Sequence, residues 1–187
     1  SEIFAYDYAG KSIEGWPINI GNYAQFSDIY VKSLSSEDLD NDGIYEIILP
    51  MDYYIFVLNL DGSYKEGWPK KIDCPSFSSI AVGDLDNDGE KEIVYICSKE
   101  NSYVYIFNSD GSYKEGWPKN FVNGIGSETI LIADINTDGN KELIFKTADI
   151  STIELYDSLV NVVDFKTGKF LNGWPKNSGI FQHISIG

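Results

Sequence analysis

Three short acidic segments carry the densest chemistry in this 187-residue chain. They read Asp38-Leu39-Asp40-Asn41-Asp42-Gly43-Ile44-Tyr45-Glu46, Asp84-Leu85-Asp86-Asn87-Asp88-Gly89-Glu90-Lys91-Glu92 and Asp134-Ile135-Asn136-Thr137-Asp138-Gly139-Asn140-Lys141-Glu142. Each places a carboxylate or amide oxygen at loop positions 1, 3 and 5, Gly at position 6 and Glu at position 9. Alternate positions of a tightly curled loop can aim at one point, and a hard cation such as calcium takes roughly six to eight oxygen ligands. Gly at position 6 admits the sharp bend. The main-chain carbonyl of position 7, from Ile44, Glu90 or Asn140, then turns inward, and Glu46, Glu92 or Glu142 closes the shell. Three calcium sites are therefore expected. Their ligands would be Asp38, Asp40, Asp42, Ile44 and Glu46 in the first, and Asp84, Asp86, Asp88, Glu90 and Glu92 in the second. Asp134, Asn136, Asp138, Asn140 and Glu142 would form the third.

Solvent-facing Asp-Gly turns use the same residue types. An ordinary turn, however, has no need of an oxygen at every alternate position, and crowded carboxylates repel one another without a cation. Many oxygen ligands on a flexible loop favour calcium over magnesium. Zinc is disfavoured because neither Cys74, Cys97 nor the lone His183 lies in a loop. The first six positions follow the EF-hand pattern, but the closing Glu arrives at position 9 and the flanking runs are β-type, so an EF-hand fold is excluded. Asn136 keeps an oxygen while removing a charge, which predicts the third site to be the weakest, by about 1 kcal/mol.

The elements that hold these loops must be strands. Ile, Val, Tyr and Phe dominate the apolar runs on either side of each loop. The tripeptide Gly-Trp-Pro occurs four times, at residues 15–17, 67–69, 116–118 and 173–175, and the decapeptide at 61–70 recurs unchanged at 110–119. Two independent markers thus keep the same order at a period of about 50 residues. One unit reads as an apolar run (80–82), the acidic loop, a second run (93–97), a polar turn and a third run (103–107). An Asp110-Gly111 hairpin follows. A fourth, shorter strand is expected through the Gly-Trp-Pro segment. The second and third runs are apolar on both faces, as buried strands are.

The expected fold is all-β: β-propeller blades of four antiparallel strands, with three complete units plus partial blades at both ends, as part of a larger propeller. Units fall at approximately 26–72, 73–122 and 123–178, with partial units at 1–25 and 179–187. Residues 3–6 read as a third strand, and 181–187 (FQHISIG) align with the first strand at 77–83. Edges left unpaired at both ends call for neighbouring blades or another chain to cover them. An insertion at 149–158 lengthens one hairpin, as either a binding loop or a functionless addition.

Composition narrows the partners. A 43 % hydrophobic content rich in aromatics argues against disorder. The net charge of −15 argues against nucleic acid and anionic membranes. Three divalent cations would bring that charge to about −9. No apolar stretch reaches membrane-spanning length, so membrane insertion is not expected. Cys74 and Cys97 are compatible both with a disulfide and with two buried thiols.

With the loops and the Gly-Trp-Pro repeats in view, the chain resembles the FG-GAP or VCBS-type repeat family, the calcium-loop blades found in integrin α-subunit propellers and many microbial surface proteins. The resemblance rests on the strand, Asp-x-Asp-x-Asp-Gly-x-x-Glu loop and strand order at Asp38, Asp84 and Asp134. The third loop departs at Asn136, and Glu37 stands where the second repeat has Gly83. The family implies a structural loop metal and an extracellular, cell-surface or periplasmic setting. It also implies roles in adhesion, assembly or binding of a protein or glycan. Some such propellers are polysaccharide lyases, which keeps a polysaccharide-active enzyme as the alternative. No catalytic constellation is visible to support it. His183 reads as a strand residue, and Asp149, Glu154 and Asp157 read as a solvated loop rather than a carboxylate pair for glycoside chemistry. Trp16, Trp68, Trp117 and Trp174 recur once per unit, which suits packing between units better than carbohydrate stacking. Tyr64 and Tyr113 are candidates for a ligand surface.

Overall fold

A computed structural model describes residues 2–21, 23, 33–74, 80–98, 101–121, 126–148 and 158–178. Among these residues there is no helix, and every named strand pairs antiparallel. A two-stranded sheet of β1 (Glu2–Ile3) and β2 (Ile18–Asn19) comes first. The next sheet takes β3 (Ser35–Glu37), β4 (Glu46–Met51), β5 (Tyr54–Leu58) and β6 (Lys70–Lys71) in that order. The third repeats the plan with β7 (Ile80–Gly83), β8 (Glu92–Ser98), β9 (Ser102–Phe107) and β10 (Lys119–Phe121). The last sheet holds β11 (Gly126–Ala133), β12 (Glu142–Ala148), β13 (Ser158–Asp164), β14 (Lys169–Phe170) and β15 (Lys176–Asn177). Both β14 and β15 pair with β13. No closed ring is formed among the described residues.

The apolar runs of the central strands are explained by what lies on their two faces. In β8, Ile93, Tyr95 and Cys97 enter a core shared with Ile55, Val57 and Ile72 of the preceding sheet. The intervening Val94 and Ile96 enter a second core, with Leu143 and Phe145 of the following sheet. In β9, Tyr105 and Phe107 face the first core, whereas Val104 and Ile106 face the second. In β5, Phe56 turns the other way, onto Ile20, Leu49 and Met51 beside the first hairpin. Alternation with period two therefore survives, but both faces are apolar because each middle sheet is buried between neighbours.

The fourth strand does not run through Gly-Trp-Pro; it begins just after it. Residues 65–68 and 114–117 form four-residue turns, with Trp68 N–H donating to Lys65 O (3.1 Å) and Trp117 N–H to Lys114 O (3.0 Å). Gly67 and Gly116 sit at the third turn position with φ of 85° and 82°, which a type II turn requires. All four Trp-Pro bonds are cis. Regular pairing resumes only from Lys70 and Lys119.

These turns also join the sheets. A Cβ on Gly15 would overlap the carbonyl oxygen of Asp61, and one on Gly67 that of Asp110, so each glycine lies directly against the Asp-Gly hairpin of the following unit. The indoles of Trp16 and Trp68 reach the same hairpins, and that of Trp117 reaches the turn after the third strand of the last sheet, although Gly116 makes no such close approach. Trp16 Nε1 donates to Leu60 O (2.9 Å), Trp68 Nε1 to Ser109 O (3.0 Å) and Trp117 Nε1 to Phe165 O (3.1 Å). The packing role read from the sequence is visible in these contacts for Trp16, Trp68 and Trp117, and not for Trp174. A disulfide between Cys74 and Cys97, with Cα atoms 6.0 Å apart, adds a covalent link between two neighbouring sheets and resolves the two alternatives for these residues. Most of the insertion (149–157) and the segment 179–187 with His183 lie outside the described residues.

Candidate metal centres

Each acidic loop spans the corner between the first and second strands of its sheet. Position 4 is left-handed in all three, with φ of 58° at Asn41, 62° at Asn87 and 61° at Thr137. Gly43, Gly89 and Gly139 follow at 87°, 95° and 88°. Asn tolerates this backbone well, whereas the β-branched Thr137 is strained in it. The curl is held from inside. Asp38 accepts the N–H groups of Asp42 and Gly43 (both 3.0 Å). Asp84 accepts those of Asp88 (3.2 Å) and Gly89 (3.1 Å), and Asp134 those of Asp138 (3.2 Å) and Gly139 (2.9 Å). The position 5 carboxylates of Asp42, Asp88 and Asp138 accept the N–H groups of Ile44 (2.7 Å), Glu90 (2.8 Å) and Asn140 (2.8 Å).

The closing glutamates are buried. Glu46 Oε2 accepts from Leu39 N–H (3.0 Å), Glu92 Oε2 from Leu85 N–H (2.8 Å) and Glu142 Oε2 from Ile135 N–H (3.0 Å). Leu39 and Leu85 are fully buried in the cores between sheets, so each of these two loops is pinned at both ends. Ile135, on the outer face of the last sheet, is 38 % exposed.

Side-chain oxygens converge in two loops. Asp38, Asp40 and Asp42 bring one oxygen each to within 4.8 Å of one another, as do Asp84, Asp86 and Glu92. Asp40 Oδ1 and Asp86 Oδ1, at position 3, are buried without any hydrogen-bond partner. A buried carboxylate oxygen left unsatisfied is costly, and an all-oxygen donor set around it suits calcium. On this test the first two loops fit the ion. In the third loop Asp134, Asp138 and Glu142 are not gathered in the same way. Asn136 Nδ2 instead donates to Asp138 Oδ2 (3.0 Å) and lies 3.4 Å from Glu142 Oε1.

Two residues of the site were not singled out from sequence. Lys65 Nζ lies 2.6 Å from Asp40 Oδ2 and 2.9 Å from Glu46 Oε1. Lys114 Nζ lies 2.5 Å from Asp86 Oδ2 and 2.8 Å from Glu92 Oε1. Both belong to the repeated decapeptide, two residues ahead of the Gly of Gly-Trp-Pro, where the third unit has Leu171. Their backbones are fixed by N–H bonds from Lys65 to Val57 O (3.0 Å) and from Lys114 to Ile106 O (2.9 Å), which aims the side chains over the loop. The signal was present in the repeats themselves: Asp at position 3 goes with Lys, and Asn goes with Leu. Asp40, Lys65, Glu92 and Lys114 line one open cleft of about 980 Å³.

Titration behaviour follows these contacts. The hydrogen bond from Lys65 is the main cause holding Asp40 below the ordinary carboxylate value. Burial pushes Glu92 up, opposed by the hydrogen bond from Lys114. Burial also pushes Glu142 up, opposed by the Ile135 N–H and reinforced by Asp138 and Asp134, with no lysine to offset it.

The carboxylates Asp149, Glu154 and Asp157 lie outside the described residues. Tyr64 meets Tyr23 edge-on and Phe56 at a tilt, and Tyr113 meets Tyr105 and Phe107 at a tilt, each keeping an exposed part.

Comparison with known proteins gives two matches. The model of the FG-GAP-like repeat matches residues 38–95 and again 84–145, together more than half of the 187 residues. Among solved structures, the crystal structure of the V. cholerae biofilm matrix protein Bap1 is similar at 20 % identity, with a TM-score of 0.40. The similarity covers 78 % of this chain and 28 % of that one. No curated protein sequence matches significantly.

Proposed function

The chain belongs to the FG-GAP-like repeat family, and on that premise we propose that it is a calcium-stabilised sector of a β-propeller in a secreted or cell-surface protein. Its role there is non-enzymatic: adhesion, assembly or the binding of a protein or glycan. The observation that carries the calcium reading is the pair of buried, unpartnered oxygens Asp40 Oδ1 and Asp86 Oδ1, set among converging carboxylates. Asp38, Asp40, Asp42 and Glu46 would hold one ion, and Asp84, Asp86, Asp88 and Glu92 a second. Asp134, Asn136, Asp138 and Glu142 would hold a third, with the position 7 carbonyls completing each shell. The ion, when bound, supplies positive charge to the loop carboxylates that Lys65 and Lys114 do not pair.

The role follows from where the loops sit. Each joins the first strand of a sheet to its buried second strand, so fixing the loop fixes the hairpin. An extracellular setting is supported by the Cys74–Cys97 disulfide, a bond that persists in oxidising compartments. Among the described residues, no helix is long and apolar enough to cross a membrane.

A further blade, from this polypeptide or another, would cover the last sheet. Trp16, Trp68 and Trp117 are 8 %, 6 % and 6 % exposed with their indoles bonded. Trp174 is only half-buried, and its indole finds no acceptor among the described residues; Ile135 beside it is likewise uncovered.

Thermal unfolding tests the calcium reading. Chelator should lower the melting temperature, and calcium should restore it better than magnesium, because a ligand that binds only the folded state stabilises it. A melt indifferent to both would refute the reading.

A further inference from the structure

The two lysines that reach the acidic loops have no place in a simple account of calcium binding, since a fixed ammonium beside a cation site repels the cation. We infer that Lys65 and Lys114 are built-in counter-ions that set the calcium affinity of the first two loops and keep them folded when calcium is scarce. This rests on the calcium reading above.

Each ammonium spans the carboxylates at positions 3 and 9 of its loop: Asp40 with Glu46, and Asp86 with Glu92. The lysine side chains are 14 % and 15 % exposed and the glutamate side chains 3 % and 2 %, so these are partly buried pairs, not surface contacts. Without such a partner, the buried glutamate and the adjacent aspartate would face each other uncompensated. The lysine takes only one aspartate oxygen, Oδ2, and leaves Oδ1 buried and unpartnered. The aspartate thus stands between the resident cation on one side and the ligand position on the other.

The third unit reaches the same balance by a different route. It has lost the position 3 charge and the lysine together, as Asn136 and Leu171. The Asn136 amide takes over as donor toward Glu142, at 3.4 Å from Oε1 and 3.0 Å from Asp138 Oδ2. Leu171 and Asn136 line one small pocket, so the two exchanged positions are neighbours in space. One negative and one positive charge disappear as a pair. Counting charges in the loop alone made the third site the weakest; Leu171 removes one repelling charge, while Lys166, whose ammonium sits on the Asn140 side chain, keeps another beside Asp138.

Removing the ammonium while keeping the aliphatic length, as in Lys65→Met with Lys114→Met, should therefore act in opposite directions on two measurements. In chelator the melting temperature should fall. In a calorimetric calcium titration, the affinity of two sites should rise about tenfold, the direction set by deleting one fixed positive charge beside a divalent ion. If the double variant does not stay folded in chelator, it can be prepared with calcium and its affinity read by competition with a chromophoric chelator. Asn136→Asp should reproduce the effect in the third unit, with tighter calcium and a lower chelator melt, and adding Leu171→Lys should reverse both. Wild-type protein that binds no calcium would overturn the calcium reading and this inference with it. Wild-type protein that binds calcium, with lysine variants binding no tighter or more weakly, would overturn the inference alone.

Discussion

The indole N–H of Trp68 donates to the carbonyl oxygen of Ser109 at 3.0 Å, across 41 residues of sequence and from one sheet to the next. Because Gly67 presses on the neighbouring Asp110 carbonyl, one tripeptide supplies both the close approach and the hydrogen bond that joins two repeats. Trp68→Phe should keep most of the apolar contact but leave that buried carbonyl unsatisfied, costing about 1–2 kcal/mol in denaturant unfolding. Trp174→Phe should change stability by less than about 0.5 kcal/mol, since its indole makes no such bond among the described residues. Equal losses at both positions would mean that the indole hydrogen bond is not what matters.

Thr137 holds a left-handed backbone, with φ of 61°, at a position where the other two loops have Asn. Thr137→Asn should relieve the strain and stabilise the protein by about 1 kcal/mol, measured as a rise in denaturation midpoint at unchanged slope. A fall in midpoint would show that the Thr137 hydroxyl, which donates to Asn136 O at 2.7 Å, contributes more than the strain costs.

The Cys74–Cys97 bridge closes a loop of 23 residues between adjacent sheets. Replacing both cysteines with serine should cost about 3 kcal/mol, most of it through a freer unfolded chain. Both positions are about 1 % exposed, so the serine hydroxyls add to the loss. Unfolding that is insensitive to a reductant would contradict this contribution.

Much of this organisation was legible in the sequence. The central strands of the middle repeats could be recognised because both of their faces are buried, which turns alternation into a continuous apolar run. The loops could be recognised because oxygen-bearing residues return at the same spacing. The start of the fourth strand was misplaced because Gly-Trp-Pro carries β-compatible residues that are used instead for a turn and for docking onto the next repeat. The acceptor of Trp68 lies in a different unit, which spacing within one unit does not reveal. Lys65 follows its loop by a full hairpin, so it joins Asp40 and Glu46 only once the strands are paired. Its exchange for Leu171, alongside Asp40 for Asn136, is the trace it left in the repeats.

Glu142 gives a pH dependence of defined sign. Burial raises its folded-state value above the ordinary 4.5. The stability tied to its protonated form is therefore fully present below that ordinary value and is lost as the pH rises through the folded one. In metal-stripped protein, Glu142→Gln should be more stable than wild type at neutral pH, and the gap should close as the pH falls toward 4.5. With calcium the order should invert, because the substitution removes a ligand. A gap that widens toward acid pH would contradict the assignment.

The measurement that tests the central claim most directly is calcium stoichiometry by calorimetric titration of the metal-stripped protein, repeated with Asp38→Ala, Asp84→Ala and Asp134→Ala. The account predicts three bound ions for wild type, one per acidic loop, and one fewer for each substitution. No calcium uptake at millimolar concentration, or uptake that survives all three substitutions together, would contradict it.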